Sequence, residues 1–253
     1  MDRPYVIMCM GASIDGKITY GPGLTMGHRH PADDARPGAG KAGEAVVAAI
    51  EAAWHPQGEI MGSSTLVRES DPLGELPAWS GGNPGPLYED FLPEDVLHST
   101  TSWAILVDGR GRCRSGYKCT NEGPRRHILH LTSRAASTEY LAFLQREHIP
   151  YLADGEKHVD LPAALRKLRG KLGLNCVKLI GGGTLNGAML RAGLIDEIVL
   201  ELWPTLIGGR GTPTLADGAD LGPKEWPPML ELRSVTPGQN SVLLLHYRVS
   251  HDP

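Results

Sequence analysis

The chain has 253 residues, 41% of them hydrophobic and 21% charged, with a formal net charge of −4. That composition describes an ordinary soluble globular chain with enough apolar residues for one large core, and its acidic balance excludes a dedicated nucleic-acid binder, whose affinity rests on a surplus of Lys and Arg. The 32 glycines and 20 prolines predict long loops, and no apolar run is long enough for a membrane span or a signal peptide, so the cytoplasm is the default location.

In chain order, Tyr5–Ala12 reads as a buried first strand. Lys41–Trp54 reads as a helix with Val46, Val47, Ile50 and Trp54 on one face. Glu59–Ser63, Ser102–Asp108 and Arg126–Thr132 read as further strands. Ser137 is placed to cap a helix carrying Tyr140, Leu141 and Leu144, which Pro150 stops. Asp160 is a second N-cap, with Pro162 in the first turn and Leu161, Leu165, Leu168 and Leu172 near the helical period. Asn175–Ile180 is a strand that enters Gly181-Gly182-Gly183, and Thr184–Ala192 is a helix ended by Gly193. Glu197–Trp203, Met229–Val235 and Ser241–Val249 close the chain as an antiparallel finish. Strands alternating with helices make an α/β protein with a mixed sheet.

Tyr20–Gly40 and Leu76–Pro93 fit no element, and loops of that length are usually functional lids or disordered. No repeat or linker divides the chain, so residues 1–253 are expected to form a single domain. Cys9, Cys113, Cys119 and Cys176 make no CxxC pair, which indicates neither a zinc site nor a disulfide framework.

A strand, three glycines and a helix starting near Thr184 make the architecture of an anion site. Without Cβ atoms the backbone approaches closely, and free N–H groups at the helix start point at a phosphate. Close helix–strand packing also selects glycine, and it is the competing explanation. The GxGxxG and GxxxxGK[ST] fingerprints are both absent.

The run "GGGTLNGAMLRAGLIDEI" followed by "PTLIGGRGTPTL" (Pro204–Leu215) is similar to the reductase domain of riboflavin biosynthesis proteins, within the dihydrofolate-reductase-like superfamily. "MGASIDGKIT" (Met10–Thr19) resembles that family's first strand and loop. "IMGSSTLVRESDP" (Ile60–Pro72) and "AILVDGRGR" (Ala104–Arg112) stand where its middle motifs belong. The resemblance implies a three-layer α/β fold with a mostly parallel central sheet and antiparallel C-terminal strands. It implies an NADPH-dependent homodimer that reduces the ribose of a phosphoribosylamino-pyrimidine to ribityl. The HxE and PCxxC motifs of the deaminase domain to which many such proteins are fused do not occur here, so a reductase alone is expected. A dihydrofolate- or dihydropterin-type reductase, or a family member that binds nucleotide without turnover, are the alternatives.

By resemblance, Gly181, Gly182, Gly183, Thr184, Leu185 and Asn186 wrap the NADPH pyrophosphate, and Ala12 touches the nicotinamide end. Ser63, Ser64 and Thr65, at a strand end that opens a helix, and Arg110 suit the adenosine 2′-phosphate, since Arg pairs bidentately with phosphate oxygens. Asp108 runs against this, because a carboxylate at a strand end more often binds the ribose diol of NAD. Arg112 and Arg114 read as the solvated face of an extended segment.

By the same resemblance Lys17 faces the substrate, where a cation stabilises a developing alkoxide or a phosphate. Asp15 forms a turn with Gly16. Asp71 matches a family acid near the substrate, with Ser70 as its rival because this chain has one residue more there. The family carries an acid immediately before the three glycines. Here that residue is Ile180, so the substrate is expected to be bound differently or to be a related heterocycle. "GHRH" (Gly27–His30) is a source of cationic contacts to a phosphate or carboxylate. His28, His30, Asp33 and Asp34 read as a polar loop and no metal site is expected, His127 and His130 face opposite sides of a strand, and no GxSxG elbow is present.

Overall fold

The computed structural model describes residues 1–24, 40–115, 119–120 and 126–250, with backbone alone at residues 41, 42, 119 and 120. In chain order the elements are β1 (Tyr5–Ser13), α1 (Gly40–Trp54), β2 (Gly58–Gly62), α2 (Glu94–Ser99), β3 (Ser102–Val107), β4 (Cys119–Thr120), β5 (Arg126–Thr132), α3 (Thr138–Arg146), β6 (Tyr151–Ala153), α4 (Leu161–Leu172), β7 (Cys176–Leu179), α5 (Gly183–Arg191), β8 (Glu197–Trp203), β9 (Leu230–Pro237) and β10 (Leu243–Val249). Contacts gather into two compact units, Met1–Pro4 with Gln57–Asn175 and Tyr5–Pro56 with Cys176–Pro253.

In the first unit β2, β3, β5 and β6 run parallel, with Gly62 opposite Val107 and His130 opposite Tyr151, while β4 lies antiparallel to β5. Parallel strands are buried on both faces and read as continuous apolar runs, as Ile105, Leu106, Leu129 and Leu131 do here. Ser137 caps α3 by accepting the Tyr140 N–H, and the helix buries Tyr140, Leu141, Phe143 and Leu144. It ends at Arg146, before Pro150, with His148 in the left-handed region. Asp160 caps α4 by accepting the Ala163 N–H, and Gly173 closes that helix at φ +69°. Both caps stand where the sequence places them.

Leu76–Pro93 departs from expectation in its second half. Leu87 is buried in the core around Tyr140 and Tyr151. The Tyr151 hydroxyl donates to the Leu87 carbonyl at 2.6 Å, and Tyr88 donates to that of Ala136 at 3.0 Å. Phe91 exchanges backbone hydrogen bonds with Tyr151. The Asp90 carboxylate receives Ala153 N–H, Lys167 and Lys171. Residues 87–91 are therefore a structural strap, neither lid nor disorder. The short elements α2, β4 and β6 also escaped the sequence reading.

In the second unit β1 lies between β7 and β8 and is parallel to both, while β8–β10 and β10–β9 are antiparallel. Ile7, Cys176 and Val199 pack with Ile50 of α1. The Trp54 ring stacks on Tyr5, with centroids 4.2 Å apart and planes 9° from parallel. Val47, expected on the same face, is 52% exposed. Adjacent helical residues stand about 100° apart, and Val46 takes the inward place. α5 begins and ends one residue earlier than the sequence suggested. Gly193, at φ +63°, and Leu194 donate to the Leu190 and Met189 carbonyls, a Schellman ending. Among the described residues no helix is long and apolar enough to cross a membrane.

Candidate functional site

β1, β7 and β8 are parallel, so their C-terminal ends share one margin of the second unit, where ligands of open α/β sheets bind. Ala12 lies there, fully buried. At Gly11 a Cβ would meet the Trp203 ring at 2.2 Å, so the indole lies directly over the strand. Beyond it Gly16 turns the chain at φ +75°. Asp15 does more than shape this turn. Its carboxylate accepts from the Ser13 hydroxyl at 2.6 Å and from the N–H groups of Ile207 and Gly208 at 3.1 and 2.6 Å. Those bonds hold its carboxyl down at about 2. The Lys17 ammonium donates to the Thr212 carbonyl at 3.1 Å. Two charged side chains thus tie the loop after β1 to the segment after β8.

The glycines divide their work. Gly181 takes φ +107°, and Gly182 is the N-cap of α5 with no side-chain cap, so the helix start keeps main-chain donors without a side-chain acceptor. At Gly183 a Cβ would lie 2.2 Å from Asp217 Oδ2 and 2.4 Å from the Thr214 carbonyl, and at Gly187 it would lie 1.9 Å from the Asp217 carbonyl. The Asp217 N–H donates to the Gly183 carbonyl at 2.9 Å. Close packing therefore explains Gly183 and Gly187. The anion reading rests on Gly181, Gly182 and the first turn, where Thr184 is exposed and Leu185 buried. Asn186 is placed otherwise than a phosphate-wrapping residue would be: its fully buried amide donates to the Leu215 carbonyl at 2.9 Å. Ile180 is half-buried just ahead of the glycines.

In the first unit β2 ends in a single 3-10 turn, Ser63–Thr65, in place of the expected helix. Ser64 is exposed there, with Ser63 and Thr65 half-buried. The Asp71 carboxylate accepts the Arg68 N–H at 2.8 Å and closes the next turn. Glu69, which sequence reasoning passed over, joins the two strand ends. Arg110 donates to both of its oxygens, at 3.0 and 2.8 Å, and Arg112 donates to Oε2 at 2.5 Å. Hydrogen bonding from Arg110 holds the Glu69 carboxyl below its usual range. Arg112 is 6% exposed and also donates to the Arg68 carbonyl, which overturns its reading as a solvated residue. Arg114 is half-buried, donating to the Gly74 and Gly111 carbonyls.

Asp108, the carboxylate that argued for a ribose diol, is buried. Its Oδ2 accepts the Cys113 N–H at 2.7 Å and the Tyr140 hydroxyl at 3.0 Å, and its Oδ1 has no hydrogen-bond partner. The Tyr140 hydroxyl also meets His130 Nδ1 at 2.9 Å. Burial lowers the His130 pKa from 6.5 to about 4, against the raising effect of the Asp108 charge. His28, Arg29, His30, Asp33 and Asp34 lie outside the described residues. Among the described residues no group of three or more His, Cys, Asp or Glu could hold a metal ion.

The profile of the RibD C-terminal domain family (RibD_C) matches residues 4–244. The chain is 28% identical to the 2,5-diamino-6-ribosylamino-4(3H)-pyrimidinone 5′-phosphate reductase of Methanothermobacter thermautotrophicus, over 98% of this chain and 99% of that one. It is 26% identical to the riboflavin biosynthesis protein RibD of Escherichia coli over 92% of its own length, which spans 58% of RibD. A pyrimidine reductase-like protein from Corynebacterium diphtheriae superimposes with a TM-score of 0.63 at 15% identity, covering 98% of this chain and 93% of the other. The fold expected from the sequence, α/β with a mostly parallel sheet and antiparallel C-terminal strands, is the one these proteins share.

Buried His130 makes stability depend on pH. Its folded pKa lies below its unfolded value, so between pH 6.5 and about 4 the unfolded chain binds a proton that the folded chain does not. The stability associated with neutral His130 is complete above pH 6.5 and is lost as pH falls towards 4, by up to about 3 kcal/mol. His130→Gln should flatten the change in urea midpoint between pH 7 and pH 5. An unchanged slope would assign the acid sensitivity to other groups.

Proposed function

The chain belongs to the RibD C-terminal domain family, and on that premise we propose that it is an NADPH-dependent reductase acting on the ribose of a phosphoribosylamino-pyrimidine. The observation that carries the reading is the glycine-lined start of α5, which no side chain caps, at the margin where β1 and β7 end. A backbone with two glycines and unclaimed donors fits a phosphate. Gly181, Gly182, Gly183, Thr184 and Leu185 offer main-chain atoms to the pyrophosphate, Asn186 secures the segment beneath, and Ala12 meets the nicotinamide end. Bound NADPH supplies the hydride.

Ser63, Ser64, Thr65 and Arg110 receive the adenosine 2′-phosphate. Arg110 and Glu69 have side chains 54% and 73% exposed. A pair so exposed is worth about 0.2–1 kcal/mol and yields readily to a phosphate. Lys17, oriented by the Thr212 carbonyl, supplies a positive charge to an alkoxide or a substrate phosphate. Asp71 keeps acceptor capacity beyond its bond to Arg68 and presents it to the substrate.

The reaction class is supported by the reductase activity named for relatives that match 85–98% of the chain. The cytoplasm is the compartment this reading calls for. A homodimer is supported by β9: seven of its eight residues are exposed, Leu230, Leu232 and Val235 among them. An edge strand that exposes three apolar side chains offers a surface for a second copy to cover. Ile180 favours a modified mode of pyrimidine binding, because a branched alkyl group in place of a carboxylate removes an acceptor and costs a facing donor about 1–3 kcal/mol.

Fluorescence titration should show NADPH binding to the wild type and none to Gly182→Val, whose side chain fills the space of a phosphate. A folded wild type that binds neither NADPH nor NADH would sink the reductase reading. NADPH oxidation compared across the ribosylaminopyrimidine phosphate, dihydrofolate and a simple dihydropterin should favour the first, with turnover altered by Ile180→Glu. Turnover indifferent to Ile180→Glu would refute the role of that position. Light scattering at micromolar concentration should give twice the chain mass, and Leu232→Asp the chain mass. A monomeric wild type would rule out the dimer.

A further inference from the structure

The turn that carries Arg110 contains Gly109 and Gly111 and is closed by the Gly111 N–H on the Asp108 carbonyl at 3.2 Å. It is organised by a side chain from α3. The Tyr140 hydroxyl lies 3.0 Å from Asp108 Oδ2 and 3.3 Å from the Cys113 carbonyl, so one atom reaches both ends of residues 108–113. The Cys113 N–H closes the same circuit onto Asp108 Oδ2 at 2.7 Å. In the middle, Gly111 passes so close to the Tyr140 ring that a Cβ would lie 2.5 Å from it, and its φ of +68° suits glycine. The Ser133 hydroxyl holds the Gly109 carbonyl at 2.8 Å. The turn is wrapped around a fully buried tyrosine.

The direction of the hydrogen bonds follows from the donors present. A tyrosine hydroxyl has one proton and a carboxylate has none, so Tyr140 donates to Asp108. His130 is neutral and gives its Nδ1–H to the hydroxyl oxygen at 2.9 Å. His130, Tyr140 and Asp108 thus form a one-way chain ending at the carboxylate that anchors the turn. A phenylalanine would fill the same core volume around Leu141, Phe143 and Leu144. The ring serves the core, and the hydroxyl serves the turn.

We propose that Tyr140 is a positioning residue for Arg110: by donating to Asp108, whose carboxylate in turn receives the Cys113 N–H, its hydroxyl sets where that guanidinium stands, and with it the preference for a nucleotide cofactor carrying a 2′-phosphate. The proposal rests on the reading that Arg110 receives that phosphate.

The test compares NADPH and NADH dissociation constants, by fluorescence titration, for wild type, Arg110→Ala, Tyr140→Phe and the double variant. Tyr140→Phe should shift the ratio towards NADH by about tenfold, or roughly 1.4 kcal/mol. Arg110→Ala should shift it at least as far, and the double variant no further than Arg110→Ala alone, because the hydroxyl acts through the arginine. Gly111→Ala, which keeps the hydroxyl but pushes the turn off the ring, should shift it the same way, and it decides the matter if Tyr140→Phe does not fold. A ratio unmoved by Arg110→Ala overturns the phosphate reading and this proposal together. A ratio moved by Arg110→Ala but by neither Tyr140→Phe nor Gly111→Ala overturns this proposal alone, as do equal losses for both cofactors in Tyr140→Phe.

Discussion

Main chain packed directly on main chain, at Gly183 and Gly187 of α5, is the contact that shapes the second unit where its parallel strands end. The two glycines stand four residues apart on one helix face, and the segment around Thr214 and Asp217 fills the space a methyl group would need. Once that approach is made, other bonds become geometrically possible. Asn186 reaches the Leu215 carbonyl, Arg191 reaches the Asp217 carbonyl, and Lys17 and Asp15 hold Thr212, Ile207 and Gly208. Together they turn a glycine-rich loop into a fixed wall beside the start of α5.

The first unit uses two carboxylates in opposite ways. Asp108 is buried, and its partners are a main-chain N–H and a tyrosine hydroxyl, so it acts on the shape of the turn. Glu69 is exposed and its partners are two arginines, so it acts on the charge that the turn displays. Residue type and position in the sequence suggested a nucleotide contact for the first and nothing for the second. Burial and partner chemistry, which composition does not encode, reverse the emphasis.

Much of the fold was legible because it rests on local patterns. β5 and β8 have the bounds their apolar runs suggested, and Ser137 and Asp160 cap the helices that follow them. What escaped is non-local. The Tyr151–Leu87 bond joins residues 64 apart, and buried Arg112 pairs with a glutamate 43 positions earlier. Val47 was misjudged because an apolar residue at the edge of a helical stripe can fall on either side of it. The site was legible as motifs and hardly at all as contacts. Three glycines announced a close approach, but whether its partner was a phosphate or the protein's own backbone depended on where Asp217 lay.

The sheet margins of the two units are finished differently. β6 has Phe91 laid along it, exchanging main-chain hydrogen bonds with Tyr151, so its open donors and acceptors are already taken by the strap at residues 87–91. β9 has no such cover among the described residues and is exposed along almost all its length. Among the described residues β9 is the outer strand of the second unit's sheet. An extended segment laid along that edge would add a strand to the sheet, which is the physical route from an open margin to association.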